Sequence, residues 1–438
     1  VPASLLLESA TLRGNAHRQL SDAAGCVGQM RPLLEQARHQ EERLQPQVAA
    51  FYSQLGRCQR DLDQDALANG LFLQAMQMRR QQGDDIGVAE SMLDVAGLRA
   101  DNGKPEEAVR ILREAIAQLR RKVGARHPLA IDMLRSLCSL ERNIDELDNA
   151  VRDCRASLAL ARDLHGPEHR ASIDANRQLA ALYVDQGRFN EAETAFMDAY
   201  GWMRTRLDPN HSEMARLYNS LGIVAWERGD NERALRFMEQ AVVAWRTGQN
   251  DGLTASGLFN LAMILHAAGR DREALSPARE ARELRARQFG PDHELVGDSD
   301  RLLGEILAAV GEAAAARTLL ENAVRTTTAG FGPRHSHTRR AQISLARFKA
   351  QRGDPVAALQ LAGWGRIDGG DVEQRKAAWL ASAYASQVEC VAHPASARAG
   401  LEAVLAQMQL ALPEGGAVTH EIQGIRDGCA AAGSLARR

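Results

Sequence analysis

Five histidines recur at one position in successive segments of the chain: His127, His169, His211, His293 and His335. Imidazole is a common zinc ligand, so a periodic row of them raises metal binding first. The spacing argues against a shared ion. Stacked helical layers lie about 10 Å apart, whereas zinc holds its ligands about 2 Å away. His337 beside His335, with His293, is the one local cluster. Each periodic histidine is therefore expected to bond within its own loop or at a helix start, and no metal or cofactor is expected.

Other chemistry is missing from the sequence. There is no H-R-D or D-F-G, no G-x-x-x-x-G-K-[ST], no G-x-S-x-G and no H-E-x-x-H. The glycines of Gly363-Trp364-Gly365-Arg366-Ile367-Asp368-Gly369-Gly370 follow no strand, so they do not read as a nucleotide loop. No nucleophile is paired with a base. The chain is expected to be non-enzymatic. Its six cysteines form no C-x-x-C pair, which argues against a zinc ribbon or a thioredoxin-like motif.

The elements that carry these residues repeat. Gly187, Gly229, Gly269, Gly311 and Gly353 each follow an apolar run, at steps of 42, 40, 42 and 42 residues. Five residues past each glycine is an alanine: Ala192, Ala234, Ala274, Ala316, Ala358. Seven residues before each is another tiny residue: Ala180, Gly222, Ala262, Gly304, Ala346. Small residues at both places let two helices approach closely, and the glycine ends the first in a left-handed conformation. A fixed period of this kind means stacked helical hairpins, each too small to bury its own face. The frame extends backward through turn residues Asp145, Gly103 and Asp63, giving eight hairpins over roughly residues 47–370.

The loops between hairpins share Gly166-Pro167-Glu168-His169, Asp208-Pro209-Asn210-His211, Gly290-Pro291-Asp292-His293 and Gly332-Pro333-Arg334-His335. Arg126-His127-Pro128 is a variant, and Gly248–Gly252 a shorter turn. Residues 1–46 are expected to form an N-terminal cap of two helices. Residues 371–438 (with Asp371, Trp379 and Tyr384) are expected to form a degenerate ninth repeat and a C-terminal cap ending in a short helix. End repeats must present a soluble face, so they depart from the pattern.

Composition limits the partners. The 438 residues carry a formal net charge of −2 and only 4% aromatics. No global field draws nucleic acid or anionic lipid. No apolar run reaches the length of a membrane span, so no membrane contact is expected of this chain itself. The start, Val-Pro-Ala-Ser, lacks a methionine and the marks of a signal peptide, and is read as part of something longer.

Cys138 takes the small slot of the first helix in its hairpin, and Cys154 an inward slot of the second, where Phe72, Leu112 and Phe196 stand in other repeats. Those slots should face each other, so a Cys138–Cys154 disulfide is geometrically allowed. Cys26 with Cys58, and Cys390 with Cys429, could pair across adjacent terminal helices. Three such staples would imply an oxidising compartment. Six buried thiols in a cytosolic protein remain the alternative.

The stretches Leu179-Ala180-Ala181-Leu182-Tyr183-Val184-Asp185-Gln186-Gly187-Arg188-Phe189-Asn190-Glu191-Ala192 and Leu221-Gly222-Ile223-Val224-Ala225-Trp226-Glu227-Arg228-Gly229-Asp230 resemble tetratricopeptide repeats of the 42-residue kind seen in kinesin light chains. The resemblance covers about three quarters of the chain. It implies an all-α fold, a right-handed superhelical solenoid of stacked antiparallel helix pairs. It also implies that the first helix of each hairpin lines a concave groove. Groove positions would then hold Arg177, Asn219, Trp226, Phe259, Asn260, Met263, His266, Arg301, Glu305 and Arg347, with Arg135, Arg57 and Arg60 toward the start. Asn219 and Asn260 are similar to the asparagines with which kinesin-light-chain repeats hold a peptide backbone. Trp226, Phe259 and Met263 would supply apolar pockets, or serve as interhelix core instead. Arg177, Arg301 and Arg347 would favour acidic groups.

Ala75-Met76-Gln77-Met78-Arg79-Arg80, Leu112–Leu119 and Gly124–Pro128 resemble the C-terminal repeat regions of bacterial serine/threonine protein kinases. That resemblance implies a ligand-sensing, periplasmic region of a transmembrane kinase, here without the kinase and its anchor. A cytoplasmic scaffold or adaptor is the alternative. Either way the expected partner is a protein or peptide, and a homodimer stays open.

Overall fold

Each hairpin turns where the sequence frame puts it. In the computed structural model, Gly103, Gly187, Gly229, Gly269, Gly311 and Gly353 all have positive φ, between 67° and 92°. The two non-glycine turn residues of the frame, Asp63 and Asp145, adopt the same left-handed conformation at 55° and 61°. The structure describes residues 2–19, 22–333, 335–366, 372–390, 392–412 and 414–435. Arg334, residues 367–370 and Asp371 of the motifs above lie outside them.

The described residues fold into helices that form two compact units, the first ending at Leu182 and the second beginning at Tyr183. The first opens with α1 (Ala3–Gln19), α2 (Ala23–Met30), a 3-10 turn at Arg31–Leu33 and α3 (Leu34–Arg38). The expected two-helix cap is thus more broken, because Pro32 falls in the tight turn. Hairpins follow as α4 (Gln45–Arg60) with α5 (Asp65–Gln81), α6 (Asp85–Asp101) with α7 (Pro105–Lys122), and α8 (Pro128–Asn143) with α9 (Leu147–His165). The boundary between units falls inside α10 (Arg170–Asp185).

The second unit continues with α11 (Phe189–Met203). Then come α12 (Ser212–Glu227) with α13 (Asn231–Thr247), α14 (Asp251–Ala267) with α15 (Asp271–Phe289), α16 (Glu294–Ala309) with α17 (Ala313–Phe331), and α18 (Ser336–Ala350) with α19 (Pro355–Trp364). It ends in α20 (Val372–Glu389), α21 (Pro394–Ala411) and α22 (Ala417–Leu435). The final helix is expected to be short but runs 19 residues.

Packing explains the small residues. Ala192, Ala234, Ala274 and Ala316 are completely buried. A Cβ added to Gly304 would stand 2.8 Å from Leu320 Cγ, so α16 and α17 meet there without room for a side chain. In α19 the register slips by one: Ala357, not Ala358, is buried behind Pro355 at the helix start.

The histidine loops are also explained. His127, His169, His211, His293 and His335 each accept, through Nδ1, the N–H two residues on, at 3.2–3.3 Å. That satisfies a backbone donor the helix cannot. Three of the rings also stack on the residue four before: His165–His169, Phe289–His293 and Phe331–His335 at 4.4–4.6 Å. Among the described residues no cluster of three or more His, Cys, Asp or Glu could hold a metal ion, and no helix is long and apolar enough to cross a membrane.

The six cysteines lie in three pairs, Cys26–Cys58, Cys138–Cys154 and Cys390–Cys429, with Cα separations of 6.0, 5.5 and 5.5 Å. Each pair joins two helices within one unit.

Candidate functional site

In the second unit, Asn260 Nδ2 of α14 donates to Asn219 Oδ1 of α12 at 3.0 Å. Ser344 of α18 donates to Glu305 of α16. The second helices are bridged by long pairs instead, Arg233 to Glu193 and Arg246 to Glu280. The backbones of α14 and α16, and of α16 and α18, approach each other directly, more closely than those of the second helices, which makes the first helices the tighter, inner side of this unit.

That inner side is polar and mostly self-satisfied. Arg301 is 7% exposed. Its Nε lies 3.2 Å from Asp298 Oδ1 and its Nη1 2.9 Å from Glu305 Oε2. Burial would raise both carboxyls, but the surrounding groups together outweigh it and hold them below the usual range: Arg301, His337 and Arg285 at Asp298, and Arg301, His266, Ser344 and Arg347 at Glu305. Arg347 lies over the Tyr384 ring, 4.0 Å from its centroid, and 3.7 Å from Glu421 Oε1. Tyr384 donates to Glu421. Burial, reinforced by the Glu421 charge, pushes that phenol well up. His266 pairs with Asp271.

The nine candidate residues divide between the units. Arg135 and Arg177 belong to the first. Arg135 bonds Asp132 at 3.1 Å and lies 4.0 Å from Asp174. Arg177 lies 3.7 Å from Asp174. Asn219, Trp226, Phe259, Asn260, Met263, Arg301 and Arg347 belong to the second. The structure joins Asn219 to Asn260. It leaves Trp226, Phe259 and Met263 half-buried against the core around Leu302 and Ile306. Phe259 also carries the Arg285 guanidinium at 4.5 Å. Arg301 is an interior ion-pair residue rather than an open anion contact. Its acids stand three before and four after it in sequence, the spacing of intrahelical pairs, so that role had a signal. Glu227, Tyr384 and Glu421 reach the same surface and have no periodic mark.

What the surface can do is bind. It offers amide donors and acceptors at Asn219 and Asn260, and apolar patches at Trp226 and Met263.

The comparisons agree with this architecture. Models of the tetratricopeptide repeat match residues 129–204 and 172–247, 88–129 and 254–294, and 299–322 and 339–364, together over half of the chain. A stretch of 171 residues is 27% identical to the human clustered mitochondria protein homolog, covering 39% of this chain and 13% of that protein. Among solved structures, the apo form of RapI matches with TM-score 0.60 and 10% identity, over 88% of this chain and 98% of that one. The apo form of the quorum sensor NprR from B. thuringiensis matches with TM-score 0.54 and 12% identity, over 76% and 94%. At these identities the likeness is one of fold. On the matched repeat models, and on the turns and helix pairs they describe, this chain belongs to the tetratricopeptide repeat proteins.

Proposed function

We propose that the chain recognises a protein or peptide segment on the inner side of its second unit, as the ligand-sensing part of a bacterial transmembrane serine/threonine kinase. The observation that carries the binding reading is the continuous row from Asn219 to Met263, where paired amides stand beside half-buried apolar side chains. Such a row suits an extended backbone flanked by apolar anchors. The fold likeness to the quorum sensor NprR is consistent with a sensing role. The three cysteine pairs support an extracytoplasmic, periplasmic location.

Two measurements test this. A photo-crosslinking residue placed at Met263 of the full chain should capture a discrete partner in the native host. The same residue at Val243, exposed on a second helix, should not. Equal capture from both positions, or none from either, removes the inner-side reading. Thiols counted after alkylation on extraction should be blocked in all three pairs. Six free thiols would move the reading to a cytoplasmic scaffold.

A further inference from the structure

The turn glycines of the second unit are not alike. Around Gly269, Gly311 and Gly353 the space a Cβ would take is open. At Gly187 it would stand 2.9 Å from Leu412 Cδ2, and at Gly229 3.0 Å from the His420 ring. Both contacts come from the segment between α21 and the start of α22, more than 190 residues later in the chain. That segment is held by polar contacts as well. Asn190 N–H, at the start of α11, donates to Glu414 Oε2 at 2.9 Å. Ala417 N–H donates to Glu227 Oε2 at 2.8 Å. Glu421 meets Arg347 and Tyr384. Phe189 lies 2% exposed beneath Gly416.

The attachments are unequal. Leu412 is 3% exposed, whereas Glu414 and Glu421 are exposed carboxylates, each holding one end of the segment. Arg347 Nε has no hydrogen-bond partner although it is buried, so Glu421 only partly satisfies that guanidinium. The Cys390–Cys429 pair ties α22 to the end of α20 behind the segment, so the segment and the first turn of α22 can lift while the rest of the helix stays.

We propose that the edge formed by Gly187, Asn190, Glu227, Gly229 and Arg347 is a recognition seat for an acidic segment that has a leucine two residues before a glutamate and runs on into a first helical turn. Leu412 and residues 414–421 occupy it as an internal latch. A partner carrying the same pattern displaces the latch. The proposal rests on the reading that the second unit takes a protein segment, but it concerns the turn edge and Arg347 rather than the row from Asn219 to Met263.

The test uses the full chain and a fluorescein-labelled peptide of residues 410–424. The variant Glu414→Gln/Glu421→Gln weakens the latch at two exposed positions, and circular dichroism should report an unchanged fold. Fluorescence anisotropy should then show at least tenfold tighter peptide binding to this variant than to the parent chain. A peptide with both glutamates replaced by glutamine should bind neither. Adding Arg347→Gln should return the affinity to the parent level. Hydrogen exchange should show amides 414–421 opening in the variant while α12 and α18 stay protected. Equal peptide affinity for both chains overturns the proposal. So does a latch that stays protected in the variant, or an opened seat that takes no peptide. Failure to crosslink from Met263 would leave all of these readouts intact, so the two readings fail separately.

Discussion

The α8/α9 and α16/α17 hairpins share one backbone plan and handle buried charge in opposite ways. In α16, Arg301 lies between Asp298 and Glu305, so two carboxylates share a guanidinium inside the protein. Asp300 beside them is met by Arg282 of α15 and Asn322 of α17. In α8, Glu141 stands three residues past the small slot, where α16 has Leu307. Its side chain is fully buried, and Arg113 Nη2 reaches Oε1 at 2.7 Å, but Oε2 has no hydrogen-bond partner. Asp153 of α9 faces it and takes Arg152. Burial pushes the Glu141 carboxyl up to about 7; the Asp153 charge adds to that and Arg113 opposes it. The repeat frame thus fixes where helices lie, and the residue in each slot decides whether the hairpin gains or loses by it. The α8/α9 hairpin has an acid in a core slot, an aspartate in place of the turn glycine, and a cysteine pair.

The largest break should come from Arg301→Leu. It leaves the buried Asp298 and the half-buried Glu305 without the guanidinium they share, a loss of about 3–5 kcal/mol. Asp298 and Glu305 are depressed in the folded chain. Their contribution is therefore present above the unfolded carboxylate range and lost as pH falls through the folded values. Thermal melts should show the deficit largest near neutral pH and shrinking as pH falls and the variant's carboxyls take up protons. A deficit independent of pH would mean that lost packing, not lost charge, sets it.

Next is the staple. Replacing Cys138 and Cys154 together by alanine removes a cross-link spanning 16 residues, worth about 3 kcal/mol in the chain-entropy account. The link acts mainly on the unfolded chain, so denaturant melts at pH 5 and pH 8 should lose the same amount. A loss confined to pH 8 would show that the staple acts by holding Glu141 against Asp153.

Glu141→Gln should act mainly on the pH dependence of stability, with little change near pH 5, where the buried carboxyl is protonated. The folded carboxyl is raised from 4.5 to about 7. The wild-type chain binds the extra proton between those values and loses stability as pH rises through them. The variant has no such term. Its melting temperature, measured against the wild type, should therefore climb from pH 5 to pH 8 and then level off. A flat difference would place the Glu141 proton elsewhere.

These contrasts bear on what the sequence made legible. Turns at 63, 103, 145, 187, 229, 269, 311 and 353 were readable because each hairpin writes the same local rule: small residue, left-handed turn, small residue. The cysteine slots followed from that frame. The ion-pair role of Arg301 was readable from its flanking acids at helical spacing, whereas its charge taken alone suggests an open groove contact. The seat of Leu412 on Gly187 had no signal, since the two are 225 residues apart by number and Leu412 belongs to no repeat. A contact made once, between segments of different pattern, leaves nothing periodic to read. The break in the N-terminal cap at Pro32 is intermediate: the proline was visible, but whether a helix stops or bends there depends on packing.

The smallest effect concerns the turns themselves. Asp145 holds φ at 61° where the frame has glycine, and Gly311 holds 92° with open space around its missing Cβ. Aspartate tolerates the left-handed region better than most residues but at some cost. Asp145→Gly relieves that strain while adding freedom to the unfolded chain. The two terms oppose, so the gain should be only about 0.5 kcal/mol. The reverse change, Gly311→Asp, meets no neighbour, so strain alone should cost it about 1 kcal/mol. Chemical denaturation of both variants reads the difference directly. If Asp145→Gly destabilises, the aspartate does more in that turn than occupy a left-handed position. The α8/α9 hairpin would then differ from α16/α17 in its turn as well as in its core.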